Sequence, residues 1–435
     1  MICGERHARA GIDGGIRLAE CPAMEAPADS KSEKTPTPDS GQAWFRLAAT
    51  MLVSTVGGVG MWSVVVALPA VQAEFAVPRA QASLPFTLAM AGLAIGGVVM
   101  GRLLDAVGVL APLILGALAL CVGYVAAGNA GSLAAFAVAH ALIGFGTSVT
   151  FGPMMADISN WFVRRRGAAV TLCSSGNYFA GALWPPVVQQ SIAQYGWRAT
   201  HVGIGLCCGV AMILISLGAL RRRAPPALMK ATDLARKGSA AAFGVAPGAL
   251  QTLLALASVC CCVAMSMPQV HIVAYCGDLG YGVARGADML ALMMAFGIVG
   301  RIGSGFIADR VGGLPTLMLG SALQGVALLL YLLYDGLISL YVISAVFGLF
   351  QGGIVPSYAI VVREYFPAKE AGARIGLILM ASLSGMALGG WMSGYIFDLT
   401  GSYRAAFFNG LGWNVVNGTI VLWLLLRRRS RVAYA

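Results

Sequence analysis

Twelve long apolar segments dominate this chain of 435 residues and leave few folds open to it. A helix that crosses the roughly 30 Å hydrocarbon layer of a membrane needs about 20 apolar residues, because each residue adds about 1.5 Å. With 58% hydrophobic residues, 11% charged residues and a mean hydropathy of +0.79, the composition excludes a soluble globular protein. We therefore predict an all-α integral membrane protein. Its twelve transmembrane helices are predicted near 45–71, 82–104, 110–128, 133–156, 167–190, 199–220, 249–276, 285–308, 314–334, 338–362, 372–397 and 402–426.

The cations between the apolar segments predict the orientation of the chain. With the amino terminus inside, fourteen Lys and Arg residues fall in the five inner loops, and only Arg79, Arg198, Arg285 and Arg404 fall in the six outer loops. Cytoplasmic loops retain positive charge, so both termini are predicted to be cytoplasmic, in a cell membrane that we expect to be a bacterial inner membrane. This topology also explains the net charge of +11, so we expect no nucleic-acid partner.

The ten cysteines do not indicate a metal site or a disulfide framework. Eight of them lie in or at the end of predicted spans, where a small and weakly polar side chain suits helix packing. The run from Cys260 to Cys262 directs three thiols around a helix, which is poor geometry for one metal ion. We expect no metal and no cofactor.

An internal repeat predicts the domain organisation. GRLLDAVG at 101–108 recurs 204 residues later as GFIADRVG at 305–312, and GWRA at 196–199 is echoed by SYRA at 402–405. Six helices are therefore predicted to be duplicated. The predicted parts are a disordered cytoplasmic tail at 1–42, a six-helix half at 43–220, a cationic cytoplasmic linker at 221–248, a second six-helix half at 249–427 and a cytoplasmic tail at 428–435.

These motifs carry a family resemblance. The G-x-x-x-D-x-x-G loops after the second and eighth predicted helices resemble the signature loops of the major facilitator superfamily. Three further stretches, NWFVRRRGAAVTLCSSGNYFAGALWPP, YGWR and GIVPSYAIVVREYFP, resemble the monocarboxylate transporters and their oxalate:formate antiporter relatives. The resemblance implies a twelve-helix carrier that works by alternating access and has no catalytic residues.

The repeated loops contain the candidate gating residues Asp105 and Asp309, with Gly101 and Gly305 beside them. A carboxylate in a short inner loop can accept hydrogen bonds from the start of an adjacent helix and so hold the inner side in one conformation. The alternative is a solvated loop acid without a partner. Because the spacing occurs at matched positions in both halves, we favour the gate.

Arg301 is a permanent cation inside the eighth apolar segment, at the position that Gly97 occupies in the first half. It lies eight residues before Asp309, about 12 Å along the helix and so close to the midplane, which is about 15 Å deep. A buried guanidinium is costly unless it faces water, an acid or an anionic ligand. No spanning acid is placed to neutralise it, so we favour a bound carboxylate over a structural salt bridge. The resemblance implies the same role for an arginine at this place.

Other polar residues are predicted at similar depth. Asn177 and Gln351 are large and costly to bury, which makes them the better candidate ligands. Further substrate-binding candidates, whose hydroxyl groups equally suit ordinary helix packing, are Ser54, Thr55, Tyr178 and Tyr358. Two histidines nearer the outer face are candidates for proton coupling or for structural hydrogen bonds, namely His140 and His271.

Two differences from the relatives narrow the range of substrates that we expect. The eleventh helix lacks the second cation of the oxalate carriers, which argues against a small dicarboxylate. If Ser384 faces the cavity, a lysine there is expected to shift preference toward dianions. The familiar proton-coupling acid is replaced by Gly297. We therefore predict a monomeric carrier, not an enzyme, of a small organic monocarboxylate anion, with a co-transported proton or a counter-anion. A drug or multi-substrate exporter and a non-transporting anion receptor stay open as alternatives.

Overall fold

The computed structural model describes residues 39–162, 165–221 and 243–433. Within these ranges the chain is helical and has no β-strand. Most of the predicted amino-terminal tail, residues 1–38, and most of the predicted linker lie outside the described residues. The helices are α1 (Gly41–Phe75), α2 (Arg79–Val107), α3 (Leu110–Gly128), α4 (Leu133–Ser159), α5 and α6 (together Arg166–Ala219), α7 (Pro247–Asp278), α8 (Val283–Val311), α9 (Gly313–Leu333), α10 (Leu337–Tyr365), α11 (Ala368–Thr400) and α12 (Tyr403–Ala433).

The run Arg166–Ala219 contains two membrane crossings. Its 54 residues would extend about 80 Å as one straight helix, more than twice the thickness of the hydrocarbon layer. Gly196 interrupts it with φ 76° and ψ 160°, a conformation that favours glycine, so we name the part before Gly196 α5 and the part after it α6. Eleven described helical runs are long and apolar enough to span a membrane, and this division gives the predicted twelve spans.

The helices differ from the predicted segments chiefly at their ends. α1 begins at Gly41 and α7 at Pro247, within the predicted tail and linker. α12 extends to Ala433 and so includes most of the segment from residue 428 that was predicted as a tail. Hydropathy marks only the apolar part of a helix, and a helix continues into the polar layer as long as its backbone hydrogen bonds are made.

The two halves repeat the same helix crossing. A Cβ atom added at Gly144 in α4 would collide with the carbonyl oxygen of Ala89 in α2, and a Cβ atom at Gly348 in α10 would collide with the carbonyl oxygen of Met293 in α8. Both residues of the second pair lie 204 residues after those of the first. The 204-residue offset between the loop motifs is therefore also the offset between these two close contacts of helix backbones.

The halves meet along α2 with α11 and α5 with α8. Large buried side chains such as Trp62 and Phe86 from the first half pack in one cluster with Met289 and Met293 of the second. Apolar side chains on the outside are exposed, for example Ile338 at 80%, which suits a surface that faces lipid.

Candidate functional site

A cavity lies between the two halves. Four helices of each half line it: α1, α2, α4 and α5, and α7, α8, α10 and α11. Its wall is largely apolar and includes four methionines, which are Met61, Met265, Met294 and Met386. The polar and charged residues of the wall are Thr147, Thr150, Asn177, Gln269, Arg301 and Ser382, and Tyr178 adds a phenol.

Arg301 is the cation of this wall and is 3% exposed. Its Nε donates to the carbonyl oxygen of Gly352 at 3.2 Å, and its Nη1 donates to the carbonyl oxygen of Ser174 at 2.8 Å. The guanidinium carbon lies 4.4 Å from the centre of the Tyr178 ring. Two of the five N–H groups of the guanidinium donate to backbone carbonyl oxygens, and the Tyr178 phenol lies against the same group.

The local sequence explains the position of Arg301. In a regular helix the carbonyl of Gly352 would accept from the N–H of residue 356, but Pro356 has no N–H. The break in α10 at Gly352 and Gly353 leaves that carbonyl to Arg301. Gly297, one helical turn before Arg301, leaves room for the Tyr178 ring, because a Cβ atom there would collide with it.

The charge of Arg301 is not paired with a carboxylate among the described residues. The two other well-buried arginines are paired: Arg46 Nε lies 2.8 Å from Asp157, and Arg79 Nη1 lies 3.0 Å from Asp278. The structural salt bridge that the sequence left open for Arg301 is therefore not formed within the described chain. Two backbone carbonyl groups and the face of the Tyr178 ring stabilise the Arg301 cation, in the place that a carboxylate would otherwise take.

The structure brings some of the predicted ligands to the cavity and not others. Asn177 lines it, with its Nδ2 donating to the sulfur of Met61 at 3.6 Å. Gln351 lies behind the wall, fully buried, and its Oε1 accepts from Gln269 Nε2 at 2.6 Å. Ser384 is exposed on the outside of α11, whereas Ser382 faces the cavity.

Three predicted ligands lie in helix contacts away from the cavity wall. The hydroxyl of Ser54 donates to the Thr150 carbonyl oxygen at 2.8 Å, and that of Thr55 donates to the carbonyl oxygen of Met51 in its own helix at 2.8 Å. Tyr358 donates to Asn417 Oδ1 at 2.9 Å, inside the second half. Counting along a helix gives the depth of a residue but not the direction that its side chain faces, and here the direction decides.

Sequence reasoning missed two polar residues of the wall as candidate ligands. Gln269 lies in α7, two residues before His271, and its amide is as costly to bury as that of Gln351. Thr147 lies in α4, and its Oγ1 has no hydrogen-bond partner among the described residues. A glutamine in the middle of an apolar span was the available signal.

The histidines lie away from the cavity. His140 and His201 are both fully buried in the first half, their ring centres 5.6 Å apart, and neither Nε2 has a partner among the described residues. His271 is held on both sides: its Nδ1 lies 3.0 Å from the Tyr403 hydroxyl, and its Nε2 lies 2.8 Å from the Gly390 carbonyl oxygen. A neutral ring with the proton on Nε2 satisfies both bonds.

A polar network joins the two halves at one end of the bundle, which we call the Arg79 end. Arg79 at the start of α2 reaches both carboxylate oxygens of Asp278 at 3.0 and 3.2 Å and the Tyr403 hydroxyl at 2.6 Å. Asp398 in α11 accepts from the backbone N–H groups of Arg79 and Ala80 at 2.8 and 2.7 Å. Sequence reasoning counted Arg79 only as a loop cation.

The opposite end, which we call the Asp309 end, contains the predicted gating residues. Asp105 and Asp309 are both exposed, and neither accepts a hydrogen bond from a described residue. The start of α9 is instead capped by Glu364, whose Oε1 accepts from the N–H of Gly313 at 2.9 Å. Gly101 and Gly305 have open space around them.

Comparison with known proteins defines the family. The Major Facilitator Superfamily model matches residues 50–337 and 304–434, so the chain belongs to that superfamily. It is 28% identical to monocarboxylate transporter 13 of Bos taurus, over 85% of this chain and 86% of the relative. It is 25% identical to the MFS-type transporter pynF of Aspergillus niger, over 76% and 75% of the two chains.

Solved structures agree on the fold. The nucleoside transporter NupG superposes with a TM-score of 0.70 at 13% identity, over 88% of this chain and 99% of that one. A bacterial homolog of the human lysosomal transporter Spinster superposes with a TM-score of 0.65 at 15% identity, over 91% and 97% of the two chains. The protein is therefore a multi-pass membrane transporter of the major facilitator fold, with relatives among the monocarboxylate transporters.

Proposed function

We propose that the protein moves a small organic monocarboxylate anion across the membrane by alternating access of the central cavity. The observation that carries the proposal is Arg301, a permanent cation in the cavity wall with no carboxylate partner among the described residues. A planar guanidinium binds a carboxylate through two parallel hydrogen bonds, and the bound anion supplies the missing charge. The name of the bovine relative is in accord with this substrate class.

The proposal extends to gating and topology. The Arg79 end is outside and the Asp309 end inside, as the distribution of cations predicts for a cell membrane such as a bacterial inner membrane. Asp105 and Asp309 hold the inner side closed in the alternate conformation, and they are without partners when the outer side is closed. Transport is coupled to a proton or a counter-anion, with His140 and His271 as the candidate proton carriers.

Uptake of labelled acids into proteoliposomes tests the substrate class. Acetate, lactate, benzoate, oxalate and succinate form the panel, each with and without a pH gradient. Arg301→Lys keeps the charge but loses the planar fork, so it should lose most uptake; Arg301→Ala should lose nearly all of it. Arg301→Gln keeps a donor for the Gly352 carbonyl without the charge. Full monocarboxylate uptake by a correctly inserted Arg301→Gln protein would refute the proposal.

A matched pair of lysine variants tests the charge balance. One cation in the wall leaves a bound monoanion close to neutral, whereas a dianion carries an unpaired charge in a cavity of low dielectric constant. Ser382→Lys adds a second cation to the wall and should raise the preference for oxalate over acetate. Ser384→Lys adds the same charge to the exposed side of the same helix and should leave that preference unchanged.

A second candidate function is export of varied apolar compounds. The methionine-rich wall favours it, because flexible and polarisable side chains adapt to different ligands. Competition experiments separate the two functions. Inhibition by lipophilic cations, together with no response to carboxylates, would support the exporter, whereas competition among monocarboxylates supports the carrier.

A further inference from the structure

Two buried glutamines beside the cavity have unused hydrogen-bonding capacity. Gln269 is 3% exposed and Gln351 is fully buried, and a single hydrogen bond joins their amides. Among the described residues, Gln269 Oε1 and Gln351 Nε2 have no partner. A buried amide group without a partner is rare, because it gives up its bonds to water and gains none.

A third glutamine of the same half shows the ordinary arrangement. Gln324 is also fully buried, yet its Nε2 donates to the Cys261 carbonyl oxygen at 3.2 Å, and its Oε1 accepts from the Cys261 thiol at 3.4 Å. Gln324 does not line the cavity, whereas Gln269 does. Gln251 also has an Oε1 without a partner among the described residues, but it does not line the cavity, so the Gln269–Gln351 pair is distinguished by its place beside the cavity.

The amide pair also lies close to the cation. Gln351 immediately precedes Gly352, whose carbonyl oxygen accepts from Arg301 Nε at 3.2 Å. Gln269 and Arg301 both line the cavity. A ligand whose carboxylate is bound by Arg301 can reach the amide with a nearby group.

We infer that the Gln269–Gln351 pair is a second recognition point, and that the cargo is a monocarboxylate with an apolar body and one neutral hydrogen-bonding group. The inference rests on the proposed carboxylate function. Turning both amides by 180° reverses the hydrogen bond between them, so Gln269 can present either an acceptor or a donor to the cavity. A hydroxyl group, which both donates and accepts, fits either arrangement. A second charge does not fit, because the pair is neutral.

The apolar residues of the cavity wall determine which kind of carbon skeleton the transported acid has. Trp62, Leu93, Phe151 and the four methionines form a surface to which a hydrated polar body would lose its water without compensation. Burying an aromatic or branched body there is favourable in proportion to the apolar area removed from water. The site is accordingly expected to discriminate against acetate and in favour of arylacetates.

A panel with one carbon skeleton tests the inference by inhibition of uptake in proteoliposomes. Phenylacetate, mandelate and 4-hydroxyphenylacetate differ only in the presence and place of a hydroxyl group, while acetate and glycolate lack the ring. We expect phenylacetate to bind at least about tenfold more tightly than acetate, since a buried ring removes a large apolar area from water. We expect one of the two hydroxylated arylacetates to gain about a further fivefold, which is typical of one hydrogen bond.

Gln269→Leu separates recognition from a merely structural role. It should bring the ratio of the affinities for the hydroxylated acid and for phenylacetate close to one, and the matched control Gln324→Leu should keep that ratio at its wild-type value. An equal loss for all three arylacetates in Gln269→Leu would mean that the pair holds only water and would overturn the inference. Acetate binding as tightly as phenylacetate would also overturn it, with carboxylate transport intact. If no carboxylate inhibits or enters, the proposed function itself fails.

Discussion

The two ends of the bundle are built differently. At the Arg79 end, a buried arginine, the carboxylates of Asp278 and Asp398 and the hydroxyl of Tyr403 join α2 of the first half to α7, α11 and α12 of the second. At the Asp309 end, no hydrogen bond or ion pair between described residues joins the halves, and both repeated aspartates are exposed. The contacts at the Arg79 end therefore hold the two halves in this conformation.

The comparison of the two ends shows which charged residues are repeated in both halves of the duplicated fold and which occur in only one half. Asp105 and Asp309 are matched by the repeat, whereas Arg79 corresponds to Val283 and Arg301 to Gly97. The shared aspartates lie at the Asp309 end, where the described residues form no hydrogen bond between the halves, and the unshared arginines lie at the Arg79 end and in the cavity. A transporter that alternates needs each end to be stabilised in turn by a comparable free energy. The Arg79 network is one of the two stabilising sets, and we expect the repeated aspartates to form the other.

The largest effect is expected from Arg79→Ala. The variant loses two bonds to Asp278, the bond to Tyr403 and the contact of the guanidinium with the Phe397 ring at 4.6 Å. The Asp278 side chain is 37% exposed, so we discount its contribution and expect about 2 kcal/mol in favour of opening this end, or roughly thirtyfold in population. Distances between spin labels at Gln81 and Leu399 should lengthen, while labels at Gly167 and Gly372 should approach each other.

Those label positions suit the comparison. Gln81 and Leu399 are exposed at the Arg79 end, and side chains added at Gly167 and Gly372 at the other end meet nothing within 4 Å. Labels are best attached through an unnatural amino acid, because the chain has ten cysteines. Unchanged distances at both ends in Arg79→Ala would show that the network does not hold this conformation.

Asp398→Asn should act in the same direction with a smaller effect. The carboxylate accepts two backbone N–H groups at the start of α2, where its negative charge also interacts with the helix dipole. An amide oxygen keeps at most part of these bonds, so we expect about 1 kcal/mol, or roughly a fivefold shift toward the opened Arg79 end. A shift as large as that of Arg79→Ala would contradict this ranking.

Asp309→Asn should act in the opposite direction. Its carboxylate has no partner among the described residues in this conformation, so its loss should destabilise only the alternate one. We expect a further shift toward the present distances, by a few fold, together with slower uptake and unchanged binding of the anion. A shift in the same direction as Arg79→Ala, or turnover equal to that of the wild type, would refute the gate.

The smallest effect is expected from Glu370→Gln. Its bond to Arg374 at 2.7 Å lies within α11 at the Asp309 end and is largely exposed. Such pairs contribute about 0.3–0.5 kcal/mol, and this one does not join the halves. The label distances should therefore match those of the wild type, and the variant is the baseline for the other three.

The sequence was sufficient for features that depend on local composition. Span lengths, the 204-residue repeat and the depth of Arg301 follow from residue order along single helices. Residues brought together from distant parts of the chain were not predicted. Arg79 was assigned to a loop because it precedes the apolar segment, but in the fold it is 8% exposed, since the start of α2 packs against α7 and α11.

The candidate site shows the same limit. Ser54 and Tyr358 were predicted as ligands from their depth along α1 and α10, yet both face neighbouring helices and not the cavity. Rotation about the helix axis is set by packing, which hydropathy does not contain. The carbonyl that accepts from Arg301 depends on Pro356, four residues after Gly352, and that relation becomes visible only when the two helices are placed side by side.

Calorimetric titration of the purified protein with benzoate and with neutral benzamide tests the central claim most directly. We predict that benzoate binds the wild type and benzamide does not, because Arg301 recognises the charge. Arg301→Gln should lose benzoate binding while it unfolds at a temperature close to that of the wild type. Benzoate binding of equal affinity to Arg301→Gln, or equal binding of benzamide and benzoate to the wild type, would contradict an anion site at Arg301.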